Sequence, residues 1–177
     1  MEKLTGSKVR GVFKWISFLF FTVFFFIIMY YTARVFLGID DPTPVGESMV
    51  STELPTISFP LAAKPITYAV FTLVLGWVFL LESFRNRISR WKQDHKHLLF
   101  ALIAFFAFLT GYETVFNFTI WGALMREGGN PDEIPSPYPN PQWPWNLNFA
   151  TKIYSALFFV SIYTLIFLAT TKGPPVT

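Results

Sequence analysis

The sequence predicts an all-α integral membrane protein, a bundle of four transmembrane helices with both termini cytoplasmic and two proline-containing outer loops. Three observations predict it. Of the 177 residues, 53% are hydrophobic and 20% aromatic, with 22 Phe, while only 14% are charged, against roughly a quarter in an average soluble domain. Runs without charge at 15–33, 65–81 and 153–171, and a fourth at 98–125 broken only by Glu113, approach or exceed the ~20 residues that span a bilayer core. The basic residues are segregated as the positive-inside rule requires. Lys3, Lys8, Arg10, Lys14, Arg85, Arg87, Arg90, Lys92, Lys96 and Lys172 are ten of the 14 Lys and Arg, and all fall on one side if four helices cross. The other side has Arg34, Lys64, Arg126 and Lys152 against Asp40, Asp41, Glu47, Glu53, Glu127, Asp132 and Glu133.

The first helix is expected over 13–37. Its apolar run exceeds the h-region of a cleaved signal peptide, and Arg34 with bulky Val-Phe-Leu follows it where a small-x-small cleavage site would stand, so it reads as a retained anchor. It is apolar all round, which suits a lipid-facing or partner-facing helix and leaves no polar stripe for a pore. An outer loop over 38–64 leads to the second helix, 65–83, and a basic inner loop over 84–97 lies near anionic headgroups. The third helix, 98–124, is longer than a bilayer's hydrocarbon thickness and must tilt, bend or project. The outer loop over 126–148 carries six prolines besides Gly128 and Gly129, so it cannot be a regular helix. Tyr138, Trp143 and Trp145 give that loop rings suited to the interface. A fourth helix over 150–171 completes a single membrane domain, 1–177. The halves echo each other weakly, each with a helix, a proline-containing loop and a returning helix that begins near Lys64 or Lys152, but the identity is too thin for a repeat.

Composition excludes several chemistries. With no Cys there is no disulfide, thiolate metal site or Cys nucleophile. Asp94-His95-Lys96-His97 is no metal motif, because His at i and i+2 do not share a helix face and no second cluster completes a shell; these are expected to be solvated connector residues. No phosphate loop or dinucleotide glycine pattern occurs, and neither metal nor cofactor nor nucleic acid is expected to bind.

The stretch Gly46-Glu47-Ser48-Met49 resembles the nucleophile segment of type I signal peptidases. That resemblance implies a serine nucleophile activated by lysine or histidine on a β-rich domain outside the membrane. The chain departs from the pattern at Ser51, where the family's motif usually has proline, and 38–64 is too short for such a domain. His95 and His97 are expected across the bilayer from Ser48, too far to act as its base. The segment therefore reads as an extended outer loop and a contact surface.

Glu113 is the residue composition does not explain. It precedes Trp121 by eight residues, so by helical rise it lies about 12 Å below that ring, where an ionised group costs several kcal/mol unless paired, protonated or wet. Arg34 and Lys152, expected in the same leaflet, are candidate ion-pair partners. Tyr112, Thr114 and Asn117 are candidate hydrogen-bond partners, Asn117 sharing a face with Glu113. A structural carboxyl and a proton, cation, quinone or lipid ligand are the two roles open to it. With one intramembrane acid and no catalytic set, the chain reads as a non-catalytic accessory or structural subunit of a larger membrane complex, of the respiratory or oxygenase kind, in the plasma membrane. Its partners are the bilayer and other membrane subunits, met through the helices and both outer loops. The alternative is a small homo-oligomeric transporter or channel with Glu113 on the path.

Overall fold

The computed structural model describes residues 6–39, 45, 48, 49, 64–126 and 147–171. Four long helices make up nearly all of them: α1 Gly6–Phe36, α2 Pro65–Ser89, α3 Gln93–Arg126 and α4 Leu147–Thr170. No strand occurs among the described residues. All four helices are long and apolar enough to cross a membrane, so the chain is a membrane protein. The expected termini, most of both outer loops, and Tyr138, Trp143 and Trp145 lie outside the described residues.

Three of the four helices, α1, α2 and α3, run further at the basic end than the apolar runs predict. The expected inner loop over 84–97 narrows to Arg90, Trp91 and Lys92, because α2 continues to Ser89 and α3 starts at Gln93. Charge marks where a chain leaves hydrocarbon, but Arg, Lys, Gln and Leu are good helix formers and do not end a helix. At the other end, α1 stops in a Schellman motif. Gly38 takes a φ of 65°, its N–H donates to the Val35 carbonyl at 3.2 Å, and the Ile39 N–H donates to the Arg34 carbonyl at 3.0 Å. Glycine accepts this left-handed conformation without the strain a Cβ brings. Proline starts α2 because the first helical position needs no N–H donor.

Across the molecule the order is α1, α2, α4, α3; among the described residues α1 and α3 do not pack together, nor do α2 and α3. α1 runs antiparallel to α2: Ser17 Oγ donates to the Gly76 carbonyl at 2.9 Å, and Phe20 stacks on Phe79 with centroids 6.0 Å apart. α2 and α4 run parallel, the Trp77 indole N–H donating to Thr164 Oγ1 at 2.9 Å. α3 returns antiparallel on α4, where Gly111 lies under Phe158 so closely that an added Cβ would sit 2.9 Å from the ring. Two hairpins thus stand side by side with their second helices in contact. Side-chain hydrogen bonds join the first three helices of this row; the fourth is held by packing and by the Lys96 ammonium, which reaches the Thr171 carbonyl just after α4.

Each end of the row has its own apolar cluster. Ile88, Phe167 and Leu168, flanked by Phe84 and Leu99, close the basic end. Tyr31, Met49, Ile66 and Ala69 close the other, with Ile27, Phe149 and Ile153 against them. Val45, Ser48 and Met49 have helical backbone, which corrects the extended-loop reading at these positions. Met49 is 1% exposed and Ser48 4%. Burial against Tyr31 and Ile66 holds this segment down, so the Ser-Met pair is an anchor between helix ends and not an exposed contact surface.

A second correction concerns Lys96. His95 and His97 are exposed as expected, but Lys96 is 3% exposed. Its ammonium donates to the Ser89 carbonyl at 3.0 Å and reaches the Thr171 carbonyl at 3.4 Å, placing one cation at the C-terminal ends of α2 and α4, where the helix dipoles favour it. Lys96→Met keeps the apolar stem and removes both donors. Its expected cost is about 2 kcal/mol, the range for hydrogen bonds from a charged group, read as a lower midpoint in thermal unfolding in detergent; an unchanged midpoint would show the contact contributes nothing.

Candidate functional site

Most hydroxyls in the helices are spoken for by their own backbone. Thr22, Thr72, Thr110, Thr114, Ser161 and Thr164 each donate to the carbonyl four residues earlier, at 2.7 to 2.9 Å. This satisfies the hydroxyl without help from lipid. The acids and the amide within the spans have no such recourse.

Glu113 is half-buried on α3, and its carboxylate makes no hydrogen bond or ion pair among the described residues. Asn117, one turn on along the same face, is 6% exposed, and its buried Nδ2 has no hydrogen-bond partner. Tyr112 turns outward, 59% exposed, and stacks on Phe116 with centroids 6.1 Å apart. Arg34 stands on α1, which does not meet α3. Its Nη1 donates to Tyr30 Oη at 3.1 Å, and its guanidinium lies 5.6 Å from the Tyr30 ring centre. Lys152 stands on α4, next to α3, but forms no ion pair with Glu113; it borders a crevice beside Trp121 and Ser155. The structure therefore brings Glu113 and Asn117 together, leaves Tyr112 at their edge, and sets both basic candidates apart from the carboxylate. Depth in the membrane was shared, but the helix order places α1 at the far side of the row.

A second acid, at the basic end of the helices, escapes the sequence reading. Glu82 on α2 accepts from Arg85 Nε at 2.8 Å and Arg85 Nη2 at 2.6 Å, and the Tyr163 hydroxyl on α4 donates to it at 2.7 Å. The guanidinium lies 4.7 Å from the Phe167 ring centre. This fork-to-fork pair is fixed by one helical turn and then used to hold α4. The Glu82 to Arg85 spacing is visible in the sequence; Tyr163, 81 residues away, is not. Glu82→Ala leaves Arg85 and Tyr163 without their acceptor. Because the Arg85 and Glu82 side chains are 39% and 23% exposed, water recovers part of the loss, and the expected cost is about 1–2 kcal/mol. Thermal unfolding of Glu82→Ala alone, Tyr163→Phe alone and both together checks it: a double-mutant cycle with no coupling would sink the lock.

Ser48 lies at the end of the molecule opposite His95 and His97 and is buried beside Met49, so neither imidazole reaches it. Among the described residues, no three His, Asp or Glu gather as metal ligands do. The fold and these polar groups define a multi-pass α-helical membrane protein. No family model, curated protein or solved structure matches the chain.

Proposed function

We propose that this chain is a non-catalytic accessory or structural subunit of a larger membrane complex, seated in the plasma membrane with its basic end cytoplasmic. The unpartnered Glu113 on α3 carries the reading. A charged group near the middle of a span costs about 2.5–3.5 kcal/mol unless it is paired. A neighbouring subunit's transmembrane helix bearing a cation relieves this cost. Respiratory and oxygenase-type complexes, whose cofactors other chains hold, are assemblies that fit this description, and the outer loops over 38–64 and 126–148 supply further contact area.

The same unpartnered acid favours one second reading, a homo-oligomeric transporter or channel with Glu113 on a proton or cation path. Purification of the tagged full chain from its own membrane in mild detergent, with mass spectrometry of what accompanies it, separates the two. A stoichiometric partner chain is the expected result. A homo-oligomer with Glu113-dependent flux in liposomes would replace the first reading with the second, and a monomer without flux would end both.

A further inference from the structure

At the basic end, the antiparallel seam between α1 and α2 carries cations on both sides. Lys14 on α1 holds its ammonium 5.7 Å from the centre of the Phe84 ring on α2. One turn further out on each helix stand Arg10, half-buried, and Arg87, exposed. Both occupy the facing sides of their helices. Arg10 precedes by seven residues Ser17, which bonds to the Gly76 carbonyl across the seam, and Arg87 follows Gly76 by eleven, spacings that return to the same helix face. Helical side chains lean toward the N-terminus of their own helix, so Arg10 leans outward and Arg87 leans back toward it, and the antiparallel pair converges. Neither arginine makes an ion pair or hydrogen bond among the described residues. Of the described acids at this end, Glu82 is taken by Arg85 and Tyr163, and Asp94 stands on α3, which packs on neither α1 nor α2.

We infer that Arg10, Lys14 and Arg87 bind the phosphate of an anionic phospholipid at the mouth of this seam. Orienting the chain in the membrane requires only that these charges lie on one side; it does not require that they converge. Converging cations without an anion repel one another, more strongly against an apolar wall such as Phe84 than in open water. A phosphodiester removes the repulsion, because guanidinium forks match its oxygens and the ammonium adds a point charge. What lies below the cations selects a lipid over a free anion. Phe18 and Phe25 follow Lys14 by four and eleven residues on the same face of α1 and are 64% and 57% exposed, an open apolar track for an acyl chain. Trp15, 73% exposed beside Lys14, suits the interface where headgroups lie. Clustered cations between helices, with hydrocarbon beneath them, are the arrangement that recognises anionic headgroups. The site is separate from the Glu113 face on α3 and holds with or without partner subunits.

The test uses the purified full chain, stripped of lipid in detergent, with phosphatidylglycerol or phosphatidylcholine added and bound equivalents counted by native mass spectrometry. Two double variants each remove two charges from the same end of the molecule. Arg10→Gln with Arg87→Gln empties the seam, while Lys8→Gln with Lys92→Gln leaves it intact, since Lys8 lies on the far side of α1 from Ser17 and Lys92 in the connector, both exposed. Glutamine keeps the helix, and circular dichroism checks helix content in both. The expected result is one retained equivalent of phosphatidylglycerol in preference to phosphatidylcholine on the wild type and on the Lys8, Lys92 variant, with retention weakened tenfold or more on the Arg10, Arg87 variant, roughly what two phosphate-facing cations contribute at a membrane surface. Equal retention of the two lipids by the wild type, or equal losses in the two variants, overturns the proposal, because either would show that only overall charge matters. Release of the lipid by equimolar inorganic phosphate would overturn the assignment to a lipid.

Discussion

Glu113→Ala is expected to release this chain from its partner helices in mild detergent, with affinity falling roughly a hundredfold. The magnitude follows from the cost of a cation left alone in a transmembrane helix, about 2.5–3.5 kcal/mol. Glu113→Gln tests the chemistry of the contact. If the partner supplies a cation, glutamine fails nearly as badly as alanine, whereas Glu113→Asp keeps the charge and retains the partner. Copurification yields across the three variants, normalised to membrane-inserted protein, provide the measurement. Unchanged yields in all three would remove Glu113 from the interface, and intact assembly with lost activity of the complex would place the carboxylate in that activity instead.

Gly111→Leu is expected to pry α3 from α4. A Cβ at this position already lies 2.9 Å from one Phe158 ring carbon and 3.1 Å from a second, a contact that requires the ring to move. Alanine needs only a small tilt of Phe158 and should cost less than about 1–2 kcal/mol, while leucine adds three more carbons and should cost about 3 kcal/mol or more, at the upper end of overpacking penalties. Limited proteolysis after α2, with recovery of the second hairpin as a unit, reads the loss of α3–α4 packing directly. Phe158→Ala should restore part of what Gly111→Leu loses, and absence of any rescue would mean that the leucine acts elsewhere.

The four spans were legible because hydropathy is a property of residue composition alone, and a run of apolar residues near bilayer length has few alternatives. Helix ends were less so: Arg85 to Ser89 leave the apolar run yet stay helical, since solvation of a side chain and hydrogen bonding of a backbone are separate matters. Glu113 and Asn117 were readable as one face by their spacing of four. Arg34 was not separable from them, because sequence position reports depth along the membrane normal and not which helices are neighbours. Lys96 looked solvated for a similar reason. Its burial depends on the ends of α2 and α4 meeting over it, and only the packed chain brings them there. Glu82 with Arg85 was visible as a local pair, but its use in holding α4 rests on Tyr163, which no local pattern names. The Ser48-Met49 pair spelled a nucleophile segment, yet what decides its role is that Met49 fills the space between Tyr31 and Ile66.

The helix order also bears on biogenesis. α2 and α3 are consecutive in the chain, but α4 lies between them in the membrane. Since chains are made and fold from the N-terminus onward, α1 and α2 can close their Ser17 to Gly76 bond as soon as the second span enters. α3 then waits beside the insertion machinery with neither α2 nor α4 to cover it. Trp77 and Glu82 likewise face outward until Thr164 and Tyr163 emerge. The last span made is the one that joins the two hairpins, so a nascent chain truncated before it should insert three helices and leave the second hairpin unbuilt.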